Sequence, residues 1–222
     1  MNGLGIISLF STNSTIESIC LVFAVFFLSK DNKSRFWKIT IAYMVLVPST
    51  ELLGKYWAHT YHNNIWIYNI YSLFEAAFVL YGLHYFLKDY IKIQKLIIAT
   101  FVLILSVFSI YTFVNGIRVY NNLMISMMSV FFIIYALLYF YLLLKDEAYV
   151  NLKFHPAFWW VGGVLIFYFG STLANFFDDY FRITLYGKYT LRFFIYTTIN
   201  IFLYGFWSYS FICRARQRKL SL

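Results

Sequence analysis

Charge is what this chain has least of. Only 12% of its 222 residues are Asp, Glu, Lys or Arg, against roughly 25% in a typical soluble domain. The apolar residues come in runs of about 20, the length that crosses a ~30 Å hydrocarbon layer. That spacing excludes a soluble protein with a large core. Proline is nearly absent, with two in the chain. Pro156 is placed to open a helix, where a missing N–H costs nothing. Pro48 lies inside an apolar run and predicts a kink, because it removes a backbone hydrogen bond. Cysteine is as rare: Cys20 and Cys213 fall at different depths of the expected membrane layer, which argues against a bridge, and neither has metal-site spacing. Both are expected to be packing residues. Linkers and low-complexity tracts are missing too, so residues 1–222 read as one transmembrane domain. Short connections such as "DNKSRFWK" and "HTYHNN" should make consecutive helices antiparallel neighbours.

What is present is a repeated apolar pattern. Seven candidate spans run at about 9–29, 37–57, 65–87, 96–114, 123–144, 157–177 and 191–212. The expected fold class is therefore all-α: a polytopic membrane protein, a seven-transmembrane-helix bundle. Net charge is +9, and its placement decides its meaning. One side of the layer receives Lys30, Lys33, Arg35, Lys38, Lys88, Lys92, Lys95, Lys145, Lys153, Arg214, Arg216, Arg218 and Lys219. The other has only Lys55, Arg118, Arg182, Lys188 and Arg192. Positive residues stay cytoplasmic, so the N-terminus faces out and the C-terminus in, with the chain in a cytoplasmic (inner) membrane. The tail "RARQRKLSL" then anchors topology and touches anionic lipid rather than nucleic acid. No Lys or Arg precedes Lys30, so a cleaved signal peptide is not expected and the first span should be retained. Aromatic clusters at helix ends, "KYWAHTYHNNIWIY" outside and "HPAFWW" inside, read as interfacial belts. An aromatic ligand cage is the alternative for the outer one.

Against this background a few polar residues stand out. Glu75 lies ten residues inside the third span, about 15 Å from its outer end at 1.5 Å per residue. Asn64, Tyr68, Tyr71, Ser72 and Glu75 share one helix face, a stripe descending from the outer surface to the carboxyl. Span six carries Tyr168, Ser171, Thr172 and Asn175, leading up to Asp178 and Asp179; span seven carries Tyr196, Thr197, Asn200 and Tyr204; span two adds Glu51. Unpaired polar groups in lipid cost several kcal/mol each, so the stripes must face protein or water. One reading is a polar cavity open to the outside, binding a small ligand or proton through Glu75, Glu51, Asn64, Tyr68, Tyr71, Tyr168, Asn175 and Asn200. The other is interhelical hydrogen bonding worth about 0.6–2 kcal/mol per bond. Glu51 has a local partner available in Lys55, four residues on. Glu75 has none within a turn, and intramembrane carboxylates point to function first. Two placements stay open for Glu17. In "STIE" it completes a capping box on Ser14; if the helix instead starts near Ile6, it is buried with the other two carboxylates.

Enzyme and metal chemistry find little to build on. His59 and His62 are weak metal candidates, since zinc needs three or four ligands and only two are close. Ser171 follows a glycine as some nucleophiles do, but no histidine on a neighbouring outer-half helix can activate it. No H-E-x-x-H or phosphate-loop motif occurs, the last span has no lysine for a retinal Schiff base, and no cofactor is expected. A small-solute or proton-coupled carrier or channel, and a membrane subunit of a larger complex, remain as alternatives; the oligomeric state is open. The stretch "HPAFWWVGGVLIFYFGSTLANFF", with "NIYSLFE" upstream, resembles the helical membrane regions preceding kinase domains in sensor histidine kinases of Bacteroidota type. The resemblance implies a non-enzymatic sensing or docking module. No kinase sequence follows Leu222, so such a module is expected to signal through a membrane or cytoplasmic partner.

Overall fold

The computed structural model describes residues 12–31, 34–147, 151–181, 183–185 and 189–220. Expectations resting on Ile6, residues 9–11, Lys33, Arg182, Lys188, residues 221–222 and the side chains of Asp178 and Asp179 lie outside the described residues. Among the described residues the architecture is helical: α1 (Thr12–Leu28), α2 (Arg35–Tyr61), α3 (Ile65–Leu87), α4 (Gln94–Asn115), α5 (Asn122–Lys145), α6 (Pro156–Phe176), the single turn α7 (Asp178–Phe181) and α8 (Leu191–Leu220). A 3-10 turn at Leu152–Phe154 precedes α6, and the two-residue strands β1 (Thr184–Leu185) and β2 (Tyr189–Thr190) pair antiparallel before α8.

Five helices, α2 to α6, are long and apolar enough to cross a membrane. The described part of α1 has 17 residues, short of the roughly 20 a crossing needs. In α8, Arg192, Asn200, several tyrosines and an arginine-rich end dilute the apolar character. Exposure supports a lipid environment. On α4, Ile110 is 66% and Phe113 92% exposed, with Leu96, Ile98 and Val102 also outward. A continuous apolar face of this kind is rare on soluble monomers and is at ease against acyl chains.

Helix ends follow local chemistry. Gly116 closes α4 with φ 83°, a conformation that glycine adopts without a Cβ penalty. His62 closes α2 in the left-handed region at φ 56°, its N–H returning to Ala58 O. Pro156 is the first residue of α6, as expected. α2 runs through Pro48 as one continuous helix. Ser49 and Thr50 donate back to the carbonyls of Val45 and Leu46 beside it, a pattern that bends helices without ending them. α6 likewise continues through Gly162–Gly163, so neither is a discontinuous helix of the kind that forms transporter sites.

The chain forms two compact units, Met1–Met128 and Ser129–Leu222. In the first, α1 packs on α2, α2 on α3 and α3 on α4, the antiparallel neighbours that short connections dictate. Its core centres on buried Phe36, ringed by Trp37, Phe78, Tyr85 and Phe86, while Tyr43 stacks on Phe78 with centroids 3.8 Å apart. In the second unit α6 packs along α8. Gly163 and Gly170 on α6 make the close approach: a Cβ at Gly163 would lie 3.2 Å from Leu203 O, and one at Gly170 2.9 Å from Ile199 Cγ2. Trp160 and Trp207 stack at 5.4 Å, and Trp207 Nε1 donates to Trp160 O at 3.1 Å. Ser210 Oγ donates to Pro156 O at 2.8 Å. That last acceptor belongs to a helix start, so the two helices are fixed at this end by polar as well as apolar contacts.

Candidate functional site

In the first unit, polar groups gather where α1 begins, α2 ends and α3 begins. Lys55 lies one turn after Glu51 on α2, and its Nζ reaches across to donate to Ser14 Oγ on α1 at 2.7 Å. The charges of Glu51 and Lys55 are both felt at Glu17. Glu17 is only 5% exposed, and among the described residues its Oε2 has no hydrogen-bond partner. These positions correct the capping-box expectation. The helix already runs from Thr12, and Ser14 is a buried helical residue whose carbonyl accepts Ser18 Oγ. Ser14 is held by a lysine from the next helix, a contact invisible to local spacing, and Glu17 takes the buried alternative beside Glu51.

α3 meets this cluster through its stripe. Gly54 leaves the α2 backbone bare, and Tyr68 lies against it: a Cβ there would be 2.6 Å from the Tyr68 hydroxyl oxygen. Asn64 Nδ2 donates to Gly54 O at 3.0 Å, so one glycine receives two stripe residues. Tyr68 feels the charges of Glu51 and Glu17. Ser72 Oγ returns to Tyr68 O at 2.9 Å. Farther along, the hydroxyls of Tyr71 and Tyr43 are 2.9 Å apart, and Tyr43, buried on α2, feels the charge of half-buried Glu75. Three carboxyls, one ammonium and three phenols thus belong to a single three-helix neighbourhood. Beside Tyr71, α2 and α3 part to form a mainly apolar groove of about 200 Å³, lined by residues including Thr50, Leu53, Trp57, Trp66 and Phe74.

The ligand candidates Tyr168, Asn175 and Asn200 belong to the second unit. Asn175 Oδ1 at the end of α6 accepts from Tyr196 Oη at 2.7 Å and from Arg192 Nη2 at 3.2 Å, both on α8. The Arg192 guanidinium also sits 5.3 Å from the Tyr196 ring centre. Asn200 Nδ2 donates to Tyr196 O one turn back on its own helix. Tyr168 is buried edge-on to Phe132, and its carbonyl accepts Ser171 Oγ and Thr172 Oγ1. His59 and His62 are exposed, and among the described residues no three His, Cys, Asp or Glu side chains group as metal ligands would.

Sequence reasoning passed over Asn69. It is 1% exposed, its Nδ2 donates to Ile117 O and Val119 O at 2.8 Å each, and its Oδ1 accepts Asn121 N. Asn121 in turn caps α5 by accepting Met124 N. Asn69 therefore holds the α4–α5 connection, and its only signal was an amide lying off the stripe. No family model, curated protein or solved structure matches this chain.

Proposed function

We propose that this protein is a non-enzymatic sensor or receptor-like module, a seven-span bundle with its N-terminus outside and its C-terminus inside the cytoplasmic membrane. It binds a small ligand or a proton in an outward-facing polar site around Glu75 and signals through a membrane or cytoplasmic partner. The observation that carries this reading is the Tyr71–Tyr43 hydroxyl contact, with the Glu75 charge acting on Tyr43. The deepest acid of the α3 stripe thus acts electrostatically on an α2 phenol that is hydrogen-bonded back to α3, so a change of charge at Glu75 would alter how α3 seats on α2. Intramembrane acids whose charge acts across a helix pair in this way are suited to switching. The bias of basic residues supports the orientation, and the resemblance to kinase-linked membrane regions supports a sensing role.

The test uses the full chain in lipid nanodiscs. Trp57 and Trp66 pack edge-to-face at 5.5 Å across the α2–α3 end, so their fluorescence reports on that seating. A pH- or ligand-dependent change is expected in the wild type and absent in Glu75→Gln. An identical response and identical thermal stability in both proteins refute the assignment.

A further inference from the structure

Glu17, Glu51 and Lys55 carry two negative charges against one positive charge, where buried Glu17 on α1 meets half-buried Glu51 and Lys55 on α2. The Lys55 charge acts on both acids, enough to balance one of them, while its Nζ donates to Ser14 Oγ. Among the described residues the second carboxylate has no cation, and in a low-dielectric interior an uncompensated charge is strongly disfavoured. Charge balance among these residues leaves one positive unit to be supplied. Space decides its size. Ser14 is fully buried, Glu17 nearly so, and Tyr68 fills the notch over Gly54. The titratable groups within electrostatic reach of Glu17 are Tyr43, Glu51 and Lys55 on α2 and Tyr68 on α3. A packing this close favours the smallest cation.

We infer that Glu17, Glu51 and Lys55 form a one-proton site, in which a single proton taken from bulk water rides on the carboxyl pair at the unpartnered Glu17 Oε2. The pair titrates as a unit, as strongly interacting acids do. The site uses other acids than Glu75, though both act on Tyr43, and it does not depend on the function proposed for Glu75. Losing the proton leaves a net negative charge between α1 and α2, which drives the two carboxylates apart; α1 is then the element that moves with external pH.

Infrared spectroscopy of the full-length protein in nanodiscs tests this, performed in a Glu75→Gln background so that the two sites cannot be confused. At neutral pH the protonated-carboxyl C=O band should lose one carboxyl's worth of intensity in Glu17→Gln, and equally in Glu51→Gln, because the remaining acid is then matched by Lys55. Lys55→Met should raise the same band by one carboxyl's worth, both acids now being neutral. Thermal melting checks that each variant is folded. Should a glutamine variant fail that check, Lys55→Met alone still decides, since an unchanged band there overturns the site. So does a band unaffected by both glutamine substitutions, and so does a band replaced stoichiometrically by sodium binding, which would make the occupant a metal cation.

Discussion

Gly163 offers the sharpest test of how the second unit is assembled. A Cβ at this position would stand 3.2 Å from Leu203 O, Phe206 Cβ and Trp207 Cδ1, all on α8. Two of these are side-chain atoms near their backbone and one is the backbone itself, so little can yield. Alanine gains about 0.5–1 kcal/mol of conformational preference over glycine in a helix, while overfilling a packed core costs about 1–3 kcal/mol. The expected net loss for Gly163→Ala is about 0–2.5 kcal/mol. Leucine brings three further heavy atoms against the same wall, and its loss should reach about 3 kcal/mol as α6 and α8 separate and the Trp160–Trp207 stack opens. Gly205 on α8 provides the control, because nothing lies within 4 Å of its added Cβ; Gly205→Leu should stay within about 0.5 kcal/mol of wild type. The assay is reversible unfolding in mixed micelles by detergent titration, followed by tryptophan fluorescence. If Gly163→Leu unfolds at the wild-type midpoint, or Gly205→Leu is equally damaging, the close helix approach is not what stabilises this unit.

Two further outcomes follow from buried polar contacts. Asn69→Ala strands the carbonyls of Ile117 and Val119 and the amide of Asn121, at a cost of about 1–3 kcal/mol; hydrogen exchange should quicken at residues 116–122 and stay unchanged in α6 and α8. His155 meets Tyr139 through Nδ1 at 3.3 Å, and burial pulls its pKa below the ordinary value of 6.5. The folded protein keeps the ring neutral while the unfolded chain protonates it near pH 6.5. Stability should therefore be level above that pH, fall as pH drops through it and flatten below the folded-state pKa; thermal melts of His155→Gln should lack that component.

Much of the fold was legible because the membrane imposes a simple length rule. The third span was expected at 65–87 and α3 occupies Ile65–Leu87, since "HNN" and "LKDY" place polar residues at both ends. Limits failed where no breaker marks the edge of the apolar run. α2 continues to Tyr61 through the aromatic belt, and α8 continues through "RARQRKL" to Leu220, because arginine, lysine and glutamine are good helix formers. The polar stripe of α3 was readable as a face, yet its partners were not. Tyr68 needs the bare backbone at Gly54, fourteen positions away in sequence, and Ser14 needs Lys55. Such pairings depend on which residue of the next helix arrives at the same height, and single-helix periodicity does not contain that information.

The length of α8 carries its own consequence. Thirty helical residues span about 45 Å, so the helix outruns a ~30 Å hydrocarbon layer by roughly three turns. Its basic end is thus a stiff extension of the segment whose Arg192 and Tyr196 clasp Asn175. Pivoting by about 10° around that clasp would sweep Lys219 sideways by about 7 Å at 1.5 Å per residue. A tilt too small to disturb the Asn175 clasp is thus converted, by length alone, into a displacement at the basic end larger than the width of a side chain.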